Sequence, residues 1–136
     1  MDWILDGLAV GRYAEAREPP EEVDALLCVA AEKEVDPRGR PYHKVPMADM
    51  QPIPAEQLTE AVVWIRDHIA GHRILVFCNE GVGRSPSVAV AYLCAVRGMG
   101  FGAAVEHVAA RRPYVSTLPG LITTLREVRE RLARGR

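Results

Sequence analysis

Cys78 and Arg84 stand six positions apart in the stretch FCNEGVGRSPS, residues 77–87. Most buried cysteines are small, inert hydrophobes, but this one closes the apolar run RILVFC and opens a glycine-broken turn. No proline lies between Asn79 and Arg84, so the amide hydrogens of Asn79, Glu80, Gly81, Val82 and Gly83 are all free to point inward. Gly81 and Gly83 permit the backbone angles that wrap such amides into an anion-binding nest. A helix predicted to follow the turn aims the positive end of its dipole at the same place. Arg84 adds a planar fork for two oxygens. Such a cradle fits a tetrahedral dianion. A thiol at its base is expected to be held as the thiolate, a nucleophile aimed at phosphorus.

A second phosphate-binding loop competes for the same residues. A Walker A loop has a glycine five positions before its Gly-Lys-Ser/Thr element. Here Gly83-Arg84-Ser85 carries arginine in place of the lysine, and Cys78 occupies the place of the leading glycine. An NTPase is therefore disfavoured.

The elements around the loop must hold it in place. WILDGLAVGRY suggests two short strands joined at Asp6-Gly7, a dipeptide of tight hairpins. VDALLCVA and YHKVPM are further strand candidates, separated by the loop EKEVDPRGR and followed by the proline-broken ADMQPIP. From Ala55, the spacing of Leu58, Val62, Ile65 and Ile69 predicts an amphipathic helix closed by Gly71. RILVFC is a continuously apolar core strand. SPSVAVAYLCAVRG is apolar on nearly all sides, as a central helix is, with Pro86 suited to its first turn. FGAAVEHVAARRP and PGLITTLREVRERLARGR complete the pattern as two more helices, the last with a frayed basic tail. Short strands alternating with helices imply one α/β domain over residues 1–136, with a mainly parallel central sheet flanked by helices.

Composition narrows the partners. The 136 residues suit one compact domain, and the formal net charge of −1 gives no global field for nucleic acid. Cys28, Cys78 and Cys94 are an odd number with no ligand spacing, so neither a disulfide framework nor a metal site is expected. No apolar run approaches the ~18 residues of a membrane span, and MDWILDG lacks the form of a signal peptide. A reduced, cytoplasmic monomer with no cofactor and no membrane partner is the expectation.

The C-x5-R-S pattern from Cys78 to Ser85 resembles the signature of cysteine-dependent protein phosphatases. VPMADMQP is similar to the strand and loop that carry the general acid in their compact dual-specificity branch. AVAYLCAVRGMGFGAAVEHVAARRPYV resembles the two helices that follow the signature there. Low-molecular-weight tyrosine phosphatases place the loop before the acid, whereas Asp49 precedes Cys78 here. The resemblance implies Cys78 as nucleophile through a phosphocysteine, Arg84 as phosphoryl ligand, Asp49 as general acid and base, and Ser85 as the hydroxyl that assists the leaving thiolate. An N-cap role for Ser85 is compatible with that assignment. Residues 79–84 would bind the phosphoryl group.

Phosphotyrosine, with phosphoserine and phosphothreonine alongside, is the implied substrate class, in proteins or small phosphomonoesters. Glu80 argues against inositide lipids, because it would repel further phosphates if it faces them. Phe77 stands where most members have histidine, Thr117 and Leu118 where proline–asparagine is frequent, and Thr124 where glutamine is common. A non-catalytic, phosphate-dependent binding module is the alternative. Arg112 matches a residue that approaches substrate in some members, with a surface or capping role equally open. Arg38 and Arg40 are expected in a solvated turn, and His43, His68, His72 and His107 form no ligand pattern.

Overall fold

The computed structural model describes residues 1–135, and only the last residue of the predicted basic tail lies outside them. Ten elements follow in chain order: β1 (Asp2–Leu5), β2 (Leu8–Arg12), α1 (Tyr13–Arg17), β3 (Ala25–Cys28), β4 (Tyr42–Lys44), α2 (Ala55–His68), β5 (Ile74–Cys78), α3 (Arg84–Ala95), α4 (Phe101–Arg111) and α5 (Leu121–Ala133). The strands form one sheet in the order β1-β2-β5-β3-β4. β1 pairs antiparallel with β2 across the Asp6-Gly7 turn, and every other pairing is parallel. The α/β architecture with a mainly parallel sheet is therefore as expected. The short helix α1 is an addition, since no periodicity announces five residues.

Strand β5 occupies the middle of the sheet, and all five of its residues are buried. That burial explains its unbroken apolar run, because a central parallel strand is covered on both faces. Its register fixes the site. Arg12 at the end of β2 lies opposite Cys78, while Cys28 at the end of β3 lies opposite Phe77. The carboxyl ends of three parallel strands thus converge beside the thiol, where open α/β sheets bind their ligands.

Helix α3 runs from Arg84 through the core, with every residue from Arg84 to Cys94 buried. It packs on β5 and is enclosed by α2, α4 and α5, which explains its apolar character on all sides. Leu58, Val62 and Ile65 of α2 are buried at helical spacing, as their periodicity requires.

Candidate active site

The chain leaves β5 at Cys78 and enters α3 at Arg84, so residues 79–83 form the turn between them. Two backbone amides and a hydroxyl surround the sulfur. Gly81 N–H donates to Cys78 Sγ at 3.3 Å and Ser85 N–H at 3.5 Å, with Ser85 Oγ at 3.2 Å. The two amides aim their hydrogens at the sulfur, and the Ser85 hydroxyl touches it, with either atom able to donate. The amide hydrogens of Glu80, Val82 and Gly83 meet no acceptor among the described residues. Together they form a set of donors at a helix N-terminus.

The loop is braced from outside. Tyr13 N–H donates to the Asn79 carbonyl at 3.2 Å, and Ser85 Oγ donates to the Gly11 carbonyl at 3.2 Å, so the end of β2 supports both flanks. Arg112 Nε donates to the Gly81 carbonyl at 2.7 Å while its Nη1 pairs with Asp2 at 2.7 Å. Ser116 N–H donates to the Val82 carbonyl at 2.8 Å. Leu118 N–H donates to Ser87 Oγ at 3.0 Å, tying the α4–α5 connection to α3.

The two glycines serve different purposes. Gly81 has φ +70°, and a Cβ there would meet Arg112 and come within 2.7 Å of the Gly11 carbonyl oxygen. Gly83 has φ −113°, open to any residue. Its need is room, since a Cβ would lie 3.0 Å from Leu118 and 3.6 Å from Asp49 Oδ1. The expectation that both glycines supply special backbone angles thus applies to Gly81 alone.

Arg84 is 1% exposed despite its charge. Its Nη1 and Nη2 donate to the two oxygens of Glu32 at 2.7 and 2.6 Å, and Nη1 also to the Met47 carbonyl at 3.0 Å. The guanidinium holds the Glu32 carboxyl down to about 2, and Glu32 in turn raises the Arg84 pKa. Arg84 Nε is buried without a hydrogen-bond partner. It faces Asp49 Oδ1 at 3.7 Å, too long for a hydrogen bond. A buried charged donor without an acceptor is costly unless something fills the position, and an anion oxygen would do so.

Asp49 projects from the loop after β4, with Oδ1 accepting from Met50 N–H at 2.9 Å. A cleft of about 520 Å³ has Asp49 and Cys78 in its lining together with Glu80, Val82, Thr117 and Leu118. Met50, 82% exposed with φ +59°, lines it as well. The structure thus brings Cys78, Asp49, Glu80, Val82 and Gly83 to one cleft, with Arg84 and Ser85 buried behind it.

Several expectations are revised. Ser85 does not cap α3: Gly83 is the N-cap, and the Ser85 hydroxyl is used between Cys78 and Gly11. Arg112 supports the loop backbone rather than lining the cleft. Arg38 is exposed, and Arg40 donates to the Val23 carbonyl, in keeping with a solvated turn. Phe77 is fully buried in β5, and strand alternation turns it to the face opposite Cys78. Thr124 donates to the Gly120 carbonyl within α5, outside the cleft lining. Sequence reasoning missed Glu32, because an acidic residue in the charged run AAEKE suggests nothing but solvation. Among the described residues, no group of three or more His, Cys, Asp or Glu side chains is placed to hold a metal.

A parallel-sheet α/β fold with a cysteine at the floor of an amide-lined turn defines the class, and comparison with known proteins agrees. The model of the dual specificity phosphatase catalytic domain matches residues 17–131, and the chain belongs to that family. Dual specificity phosphatase 28 of Homo sapiens is 32% identical over 138 aligned residues, covering 92% of this chain and 74% of that protein. Dual specificity protein phosphatase 15 of Mus musculus is 25% identical, covering 93% of this chain. The chain spans little more than half of that relative, 57% of its length. Among solved structures, Tk-PTP in its active form superimposes with a TM-score of 0.82 at 28% identity, covering 95% of both chains.

Proposed function

We propose that this chain is a protein phosphatase that hydrolyses phosphomonoesters through a phosphocysteine at Cys78. The observation that carries the reading is the environment of one sulfur atom. It accepts from two amides, touches the Ser85 hydroxyl and lines a cleft with Asp49, while the unpartnered Nε of Arg84 lies 3.7 Å from that same aspartate.

The steps follow from these groups. The phosphoryl oxygens take the free amide hydrogens of the turn and Arg84 Nε, which offset their charge. Cys78 thiolate attacks phosphorus. The S–P bond forms, the ester P–O bond breaks, and the leaving oxygen takes the proton of the Asp49 carboxyl. Water then attacks the phosphocysteine, giving its proton to the Asp49 carboxylate as the S–P bond breaks. Ser85 stabilises the departing thiolate, and inorganic phosphate leaves. The protein supplies the nucleophile, the acid and the charge stabilisation from its own side chains and backbone.

The cleft favours a phosphoamino acid in a protein. Met50, Val82 and Leu118 supply apolar surface for an aromatic or aliphatic stem, and Glu80 opposes a second phosphate nearby. Phosphotyrosine is the principal substrate, with phosphoserine and phosphothreonine as others. No helix among the described residues is long and apolar enough to cross a membrane. The binding-module alternative draws no support, because thiol and acid share the cleft.

Turnover of p-nitrophenyl phosphate in the presence of EDTA tests the reading. Wild type should turn over, and Cys78→Ser should not while still binding vanadate. Equal turnover by both proteins would overturn it.

A further inference from the structure

The other end of the sheet carries a feature that catalysis does not use. A groove of about 880 Å³ lies among the β1–β2 turn, the α2–β5 connection and the C-terminal ends of α3 and α4. Arg73, immediately before β5, is in its lining, so the groove is separated from Cys78 by the length of that strand, ~16 Å.

Three guanidiniums line it: Arg73, Arg97 and Arg111. Each is oriented by a neutral contact. Arg73 stacks over Trp3 at 4.5 Å, Arg97 Nε donates to Tyr92 Oη at 3.1 Å, and Arg111 Nη1 donates to the His107 carbonyl at 3.0 Å. Those contacts consume a small share of five N–H donors apiece. Among the described residues, none of the three has a carboxylate partner. Asp6 is the single acidic residue in the lining. Leu5, Ile69 and Ala70 share the lining with the cations.

In a chain of formal net charge −1, a concentration of oriented, unpaired arginines is a local attraction for anions. Their origin in three separate segments of the chain, with apolar side chains in the same lining, does not suit one compact anion. It suits alternating acidic and apolar side chains. We propose that this groove docks an extended acidic segment of a partner protein, its carboxylates pairing with Arg73, Arg97 and Arg111 and an apolar side chain packing against Leu5 and Ile69. The inference stands apart from the reading of Cys78 and would hold for an inert thiol.

Fluorescence anisotropy of a labelled peptide of alternating glutamate and leucine tests it. Wild type should bind this peptide, and not its lysine–leucine counterpart, with affinity falling as salt rises. Arg73→Glu/Arg111→Glu should weaken binding by about 10-fold or more, with p-nitrophenyl phosphate turnover unchanged as evidence of an intact fold. Arg111→Glu alone, which disturbs only a bond within its own helix, should show a smaller loss in the same direction. Absence of wild-type binding, or equal binding by the variants, would overturn the proposal. So would binding to phosphatidylserine vesicles without binding to the peptide, which would assign the groove to a membrane surface.

Discussion

Glu32 grips Arg84 across 52 residues of sequence, with both carboxylate oxygens on both terminal nitrogens at 2.6 and 2.7 Å. A two-point pair fixes the plane of the guanidinium as well as its position. Arg84 Nε is thereby left buried without a hydrogen-bond partner, beside the acid that the proposed reaction requires. Glu32 is 48% exposed while Arg84 is 1% exposed, so the clamp reaches into the site from the solvent side.

Glu32→Gln should therefore disturb alignment more than folding. A misplaced phosphoryl ligand can cost about 10²-fold in rate, and the loss should fall on kcat more than on KM. Steady-state kinetics with p-nitrophenyl phosphate measures it. An unchanged kcat would mean that Met47 and the helix hold Arg84 without Glu32.

The same pair has a pH signature in stability. Glu32 is held at about 2 in the folded protein, against about 4.3 for a free glutamate. A depressed carboxyl stabilises the fold above its unfolded value and loses that contribution as pH falls through the folded one. The urea midpoint of wild type should exceed that of Glu32→Gln at pH 7, and the gap should close between about pH 4.3 and 2. Solvent exposure of Glu32 keeps the gap small. A gap that widens on acidification would reverse the assignment.

Asp49→Asn should slow good leaving groups less than poor ones, because nitrophenolate scarcely needs a proton. The expected loss for tyrosyl phosphate is about 10²–10⁴-fold. Comparing kcat/KM, which reports the first step, for p-nitrophenyl phosphate and a phosphotyrosyl peptide measures the difference. Equal losses on both substrates would place the acid elsewhere.

Gly81→Ala should dismantle the turn while sparing the core. The left-handed backbone alone costs a side chain about 1–2 kcal/mol, and the Cβ would also press on the Gly11 carbonyl and Arg112. Vanadate binding and turnover should fall together, with far-ultraviolet circular dichroism unchanged. Gly83→Ala should be milder, since only Leu118 need give way. The reverse order would contradict the separate purposes assigned to the two glycines.

Much of this arrangement was legible in the chain. The apolar run of β5, the glycine turn and the all-round apolar helix are local patterns, and they placed Cys78, Gly81 and Arg84 at the end of a central strand. The Asp6-Gly7 hairpin and the period of α2 were equally local. What escaped is what depends on distant partners. Glu32 acts on Arg84, and Arg112, which holds the Gly81 carbonyl, pairs with Asp2 across 110 residues. A solvated charge and a clamping charge have the same sequence signature, because sheet order alone brings the partners together. Ser85 illustrates the same point. Its position near the start of an apolar helix matches a cap, yet its hydroxyl lies between Cys78 Sγ and the Gly11 carbonyl of β2, to which it donates.

The central claim is a covalent bond between Cys78 and phosphorus, and trapping that bond tests it most directly. Asp49→Asn slows the second step by removing its base but spares the first for a leaving group that needs no proton, so acid quenching during turnover of radiolabelled p-nitrophenyl phosphate should capture the intermediate. The label should appear on the peptide fragment containing Cys78 and be absent from the Cys78→Ser protein. Turnover by wild type with no label on Cys78, together with undiminished turnover by Cys78→Ser, would contradict the mechanism.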